Sequence, residues 1–459
     1  MREKCGDAAS SRFESVPCTW HKAMINEICR MSSGSTPRRD NANNFNGTIL
    51  WVSSGELKKK FVLDTNEKIS QEAARASHLK MYEPGAVVAA IYGLEAAGIR
   101  GTASIIKKQC TISQACMAFT DFKGIDNEFF YYWYILNGPR IGHRYAQGTK
   151  QQNLSTEIVG TLQICFPPLP EQRKIAAILA TQDKVIELKA KLLEETKRRK
   201  KALMQRLLAP MEEKRLEAAS PCGEAASCRF GDNNKLVFMD DIGFTYSGLT
   251  GMSKADFVKG NAWYIPFLNV LKNTKIDLER LEQVNISESE KQTEVRKGDL
   301  LFNISSETPN EVGLCAYLAN DVEYTYLNSF CIGFRLKPDA KIEPHYLVEW
   351  FNSCYGRRIM RSLAQGATRY NLSREYLLAI PIILPPIAVQ RRIVAVLSTA
   401  DREIDLMEKE LNALELKKKA LMQLLLTGIV RVGEAASCRL ERAGNEAAGS
   451  RFSTRIANV

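Results

Sequence analysis

Gln147-Gly148-Thr149-Lys150-Gln151-Gln152-Asn153-Leu154-Ser155 and Gln365-Gly366-Ala367-Thr368-Arg369-Tyr370-Asn371-Leu372-Ser373 open the two stretches that decide the architecture. The segment from Gln147 to Leu208 returns, without a gap, as the segment from Gln365 to Leu426, with 28 identities in 62 positions. The match takes in Pro167-Pro168 with Pro385-Pro386 and Gln172-Arg173 with Gln390-Arg391. Lys200-Lys201-Ala202-Leu203-Met204-Gln205 recurs unchanged as Lys418 to Gln423. A chain with an internal repeat is read first as two copies of one plan.

After each Pro-Pro pair the hydrophobic period becomes helical. In the second copy Ile393, Leu397, Ala400, Ile404, Met407, Leu411, Leu414, Lys418, Leu421 and Leu425 step alternately by four and three, and nine of these ten positions are apolar. That spacing predicts a coiled-coil seam. The equivalent first-copy positions are Ile175, Leu179, Gln182, Ile186, Lys189, Leu193, Thr196, Lys200, Leu203 and Leu207, of which six are apolar. The weaker seam needs the stronger as its partner, in an antiparallel arrangement. Each helix of about 38 residues would extend about 57 Å, starting after the prolines, with Gly428 placed to end the second. The bland alternative is two ordinary amphipathic helices on separate cores.

Upstream of the matched blocks the halves differ. Faint echoes persist at one shared offset, of Gly34 in Gly248 and of Trp51-Val52 in Ile265-Pro266. Short β-rich runs (Ala86–Ile91, Leu300–Ile304, Phe330–Leu336) alternate with helix-like stretches (Asn127–Leu136, Pro344–Asn352), which predicts small mixed α/β domains with an irregular sheet. Each ends in the glycine loop quoted above. Gly148, Thr149, Lys150, Gln151, Asn153 and Ser155, with Gly366, Thr368, Arg369, Tyr370, Asn371 and Ser373, supply donors suited to phosphates and base edges. For the Asn and Ser positions a turn satisfying its own backbone is an equal reading, whereas Lys150, Gln151, Arg369 and Tyr370 favour a ligand. The runs Arg38-Arg39, Lys58-Lys59-Lys60 and Lys197 to Lys201 read by default as solvated surface.

The net charge of +11, from 63 Lys and Arg against 52 Asp and Glu, points to a polyanionic partner. Twelve cysteines occur without a C-x-x-C pair, and His21, His78, His143 and His345 are scattered, so the spacing of a metal site is missing. The longest charge-free apolar stretch of note, Leu377 to Val389, is interrupted by Pro381, Pro385 and Pro386, and is too short and broken to span a bilayer. The start Met1-Arg2-Glu3-Lys4 has no apolar core for a secretory leader. These features lead to the expectation of a soluble cytoplasmic protein. The P-loop, dinucleotide, nucleophile-elbow and zincin patterns all fail; Gly142 to Lys150 has one residue too many between its glycines and Gly-Thr-Lys in place of Gly-Lys-Ser/Thr.

Two divergent units, each closed by Gly-x-x-x-x-Asn-Leu-Ser, followed by Pro-Pro-Leu-Pro-Glu-Gln-Arg (167–173) or Pro-Pro-Ile-Ala-Val-Gln-Arg (385–391) and a long helix carrying Lys-Lys-Ala-Leu-Met-Gln, resemble the specificity subunit of type I restriction-modification enzymes. The resemblance covers residues 21 to 428. It implies an α+β fold with a pseudo-twofold internal repeat, in which two small mixed α/β target-recognition domains are separated by two long antiparallel coiled-coil helices. The corresponding division is an N-terminal tail (1–20), a first recognition domain (21–168), a central spacer helix (169–208), a linker (209–234), a second recognition domain (235–386), a C-terminal spacer helix (387–427) and a tail (428–459). It further implies a non-catalytic chain that reads a bipartite, asymmetric double-stranded DNA target and docks two modification (methyltransferase) subunits and restriction/translocase subunits. S-adenosylmethionine, ATP and Mg would belong to those partners and none to this chain. A coiled-coil scaffold, or a DNA-cleaving enzyme with an unrecognised site, are the alternative readings. Gly6–Phe13, Gly223–Phe230 and Gly433–Leu440, a small polar octapeptide that occurs three times, fall outside the family pattern and read as spacer.

Overall fold

The computed structural model describes residues 20–94, 98–146, 153–208, 234–257, 260–287, 291–366 and 368–432. Most of the expected tails and linker, the three octapeptides, and Gly148, Thr149, Lys150 and Gln151 lie outside these residues. The chain divides into two compact units, one formed by residues 1–190 and 409–459, the other by 191–408.

In the first unit a five-stranded sheet runs in the order Arg30–Ser33, Cys116–Thr120, Val87–Ala90, Ala103–Ile106, Phe61–Val62. Beside it a three-stranded sheet centres on Ile49–Val52, antiparallel to Lys68–Ile69 and parallel to Cys110–Ile112. His21–Met24 pairs antiparallel with Gln163–Phe166, bringing the beginning and end of the domain together. Val87–Ala90 is a continuous apolar run and is buried throughout, as expected of a strand covered on both faces. One cover is the helix Asn127–Tyr145, whose Phe129 to Tyr134 are six consecutive buried aromatics. Asp126 caps it, its Oδ1 accepting from the Glu128 and Phe129 amides at 3.0 and 3.1 Å. The sequence pattern suggested an end near Leu136. The helix instead continues through Pro139 to Tyr145, because Ile141 still packs into the core.

The second unit repeats the plan. Its larger sheet runs Gly243–Ser247, Cys331–Leu336, Leu300–Asn303, Cys315–Tyr317. The smaller centres on Ala262–Ile265, antiparallel to Glu282–Val284 and parallel to Thr325–Leu327. Lys235–Phe238 closes the domain against Pro381–Leu384. The echo of Gly34 in Gly248 has a physical basis: a Cβ at either would lie 2.0 Å from a carbonyl oxygen, of Ile112 or of Asn328. Two backbones pass there with no room for a side chain.

The long helices, Leu169–Leu208 and Ile387–Leu426, have 40 residues each, slightly longer than the heptads alone indicate. They start where the prolines place them: Pro168 accepts from the Glu171 and Gln172 amides, and Pro386 from those of Val389 and Gln390. Each unit contains one half of each helix, antiparallel. In the first unit Glu171 meets Arg431, Asp183 meets Lys418 and Lys189 meets Glu410. In the second, Lys197 meets Glu408 and Lys200 meets Asp401. Of the seam residues, Ile175, Leu179, Leu193, Ile393, Leu397 and Leu421 are buried, while Ile186, Ile404, Leu411 and Leu414 are half-buried. The C-terminal end of the second helix (Leu421, Met422, Leu425, Leu426) enters the first unit's core beside Ile175 and Leu179. Leu208 of the first helix enters the second unit's core beside Ile393 and Leu397.

In the three basic runs Arg38, Arg39, Lys58, Lys59, Arg198, Arg199 and Lys201 are exposed, as a solvated face requires, while Lys60, Lys197 and Lys200 are not. Lys60 is not a solvated lysine: its ammonium lies 2.8 Å from Glu128 and 3.1 Å from the Tyr132 hydroxyl, with the side chain 12% exposed. Arg39 makes a two-pronged pair with Glu67 and lies over the Phe45 and Trp51 rings. Within Lys197–Lys201, Lys197 and Lys200 are turned toward acids of the second helix. Periodicity shows a charge on a face; only packing shows what that face meets.

Candidate nucleic-acid interface

Each Asn-Leu-Ser segment is fastened to its unit in the same way. The Leu154 amide donates to Ile91 O at 2.8 Å and the Leu372 amide to Ile304 O at 2.9 Å, and both leucines are buried. Ser155 Oγ accepts from the Ile158 amide and Ser373 Oγ from the Tyr376 amide, so both serines are N-caps of short helices. Their hydroxyls therefore already serve the fold, which is the turn-satisfying reading of these two positions. Asn371 likewise closes the loop through its backbone, exchanging hydrogen bonds of 2.7 and 2.9 Å with Gln365. Gly366 has φ +134° and a Cβ on it would lie 2.0 Å from Arg369 O, so the turn itself demands glycine. Asn153 is half-buried, and its Oδ1 is buried with no hydrogen-bond partner among the described residues.

Among the described residues of the second loop Thr368, Arg369 and Asn371 are exposed, beside the half-buried Tyr370. The Arg369 guanidinium carbon stands 5.5 Å from the centre of the Phe330 ring, which is 50% exposed. Phe330 is held there because its carbonyl accepts from Ile304, the residue that also anchors Leu372, while its amide donates to Asn328 Oδ1. Tyr370 pairs with Ser306 across a short ladder. Arg374 reaches Ser247 Oγ at 2.5 Å. An arginine over an exposed aromatic can pair with phosphate and stack on a base. Sequence reasoning missed Phe330 and Arg374. The signal for Phe330 was available: a large aromatic beginning a strand, just after a turn.

A second shared device joins each domain to its helix. Gln172 is fully buried; its Oε1 accepts from the Asp126 amide at 2.7 Å and its Nε2 donates to Pro167 O and Gly124 O at 2.7 and 3.1 Å. Gln390 repeats this with the Glu343 amide at 3.0 Å and Pro385 O at 2.8 Å. The neighbouring arginines approach the matching acids, Arg173 near Asp126 and Arg391 near Glu343. The Gln-Arg pair of the repeat is thus a structural joint, which ties the cap of a domain helix to the first turn of a long one.

The type I restriction modification DNA specificity domain matches residues 17–198 and again 253–416. The chain belongs to this family. With two matched segments it is a two-domain specificity subunit of a type I restriction-modification system. It is 22% identical over 427 residues to the type I restriction enzyme MjaVIII specificity subunit of Methanocaldococcus jannaschii, covering 91% of this chain and 94% of that one. Over 169 residues, 36% of each chain, it is 25% identical to the StySPI specificity subunit of Salmonella potsdam. Its fold is similar to that of the S subunit from M. genitalium, with a TM-score of 0.51 at 16% identity over 90% of this chain and 96% of that one. A chain solved in work on complex assembly and conformational transition of the type I R-M system gives a TM-score of 0.57 at 16% identity, covering 91% of this chain and all of the other. Among the described residues no helix is long and apolar enough to cross a membrane.

Proposed function

We propose that each unit reads one half of a bipartite DNA target, and that catalysis resides in partner subunits. The observation that carries this reading is the contrast inside each unit. The anchoring of Leu154 and Leu372 and the Gln172 and Gln390 joints follow one pattern, while the residues offered at the loop differ. A shared frame with different tips suits two different half-sites, hence an asymmetric target. Lys150, Gln151, Arg369 and Tyr370 remain the proposed contacts, joined by Phe330 and Arg374. Gly148, Thr149, Gly366 and Thr368 stay in the candidate set with them.

In this reading the modification subunits bring S-adenosylmethionine for adenine methylation, restriction subunits bring ATP and Mg for translocation and cleavage, and the complex works in the cytoplasm. Exchanging residues 21–168 for the corresponding domain of another family member tests the core of the proposal. Methylome sequencing of cells carrying the chimera with its partner subunits should show one changed half-site, one unchanged and the same spacer. A change in both half-sites would reject independent reading.

A further inference from the structure

The two units seat their domain helix on the long helices through charged nodes related by the repeat, and the nodes differ in one respect. In the first unit Lys418 pairs with Asp183 at 2.5 Å, Tyr132 donates to the same carboxylate at 2.5 Å, and Lys60 pairs with Glu128 at 2.8 Å. Two lysines thus face two acids. In the second unit Lys200 pairs with Asp401 at 2.5 Å and lies 3.8 Å from Glu349, which His345 Nε2 approaches at 3.3 Å. Glu349 is fully buried and its Oε2 has no hydrogen-bond partner among the described residues. Tyr317 stacks on the His345 ring at 4.5 Å and shares a 3.3 Å hydrogen bond with its Nδ1. Glu343, just before the same helix, lies 3.8 Å from Arg391, which offsets it. The core of this node therefore holds two acids, one lysine and one imidazole.

We infer that the second unit takes up one proton at this node when it folds, that the first unit takes up none, and that the seating of helix Pro344–Asn352 on the long helices is therefore pH-dependent. A buried carboxylate without a compensating charge is costly, and an imidazole beside it is the side chain suited to supply that charge near neutrality. Lys200 lies 3.8 Å from Glu349 and 2.5 Å from Asp401, so one ammonium serves two carboxyl groups. Burial, ahead of its other influences, pushes the Asp401 carboxyl above the usual carboxylate range despite the adjoining Lys200. The sign follows: a folded node that binds a proton the unfolded chain releases is favoured at lower pH, and this contribution is lost as pH rises through the node's folded value. The inference rests on the packing within one unit and not on DNA reading.

The experiment is hydrogen exchange of the full chain at pH 6 and pH 8, corrected for the intrinsic pH dependence of exchange. Protection of residues 344–352 should fall on going to pH 8, by at most about tenfold per pH unit, the limit for one proton. Residues 127–145 of the first unit should hold steady in the same sample. Glu349→Gln and Asp401→Asn each remove the excess acid by a different route, so a folding defect in one leaves the other to decide. Either should flatten the response. Equal protection of 344–352 at the two pH values in the unaltered chain would overturn the inference, as would a response that survives undiminished in either folded variant.

Discussion

Asp183 with Lys418 and Asp401 with Lys200 are the same pair written twice, once in each copy of the repeat, yet the domains that meet them have diverged. The first unit offers a tyrosine hydroxyl to its aspartate; the second packs a glutamate and a histidine beside its lysine. The contact between helices is common property of both units, so one solution serves twice. The contact between helix and domain belongs to each unit alone, and two chemically different solutions fill equivalent places. The same division separates the buried glutamine joints, which match, from the exposed loop tips, which do not.

The largest expected effect tests whether the helix ends are equivalent. Leu425 is fully buried in the first unit's core, whereas its counterpart Leu207 is half-buried. Leu425→Asp should cost about 4 kcal/mol or more, through a lost core side chain and a buried charge, and Leu207→Asp clearly less. Urea unfolding of both variants would measure this, and equal losses would mean that the ends are packed alike.

The glutamine joints come next. Gln172 makes three hydrogen bonds and Gln390 two. At about 1 kcal/mol per bond, with some extra for stranded partners, Gln172→Ala should cost about 3 kcal/mol and Gln390→Ala about 2 kcal/mol in thermal unfolding. The opposite ranking would break the comparison of the two joints.

Asp183→Asn sharpens the comparison of nodes. It removes the charge partner of Lys418 and weakens the acceptor of Tyr132, whose hydroxyl is pushed well above its usual range by burial first and by donation to Asp183 second. A loss of about 1–2 kcal/mol is expected for a charge-assisted, mostly buried contact. Double-mutant analysis with Tyr132→Phe should show coupling, and purely additive losses would argue that the contact carries no stability.

The smallest effect concerns DNA. Arg369→Ala should weaken binding modestly on all sequences and make the salt dependence shallower by about one ion if the guanidinium meets a phosphate. Phe330→Ala should weaken binding without changing that slope, since a ring releases no counterion. Filter binding across a salt series distinguishes the two, and unchanged affinity in both variants would remove this tip from the interface.

Much of this protein is written in the order of its residues. Ile393, Leu397, Leu421 and their companions announce a helix by spacing alone, because a helical period puts them on one stripe whatever they pack against. The Pro-Pro pairs fix where the helices begin for an equally local reason, and the repeat itself establishes two copies of one plan. Alternation and apolar runs find Val87–Ala90 and Leu300–Asn303, but not that each smaller sheet joins one parallel and one antiparallel neighbour, since register is a property of pairs of strands. Only the tertiary structure made Ser155 and Ser373 helix caps, moved Lys60 from surface to joint and placed Phe330 under Arg369. It also decided that Glu349 would be an acid in excess. The partners of these side chains can lie far away in the chain, as Lys200 on the first long helix does from Glu349 in the second domain. Distance and burial set what a polar group does, and neither is a property of its own stretch of sequence.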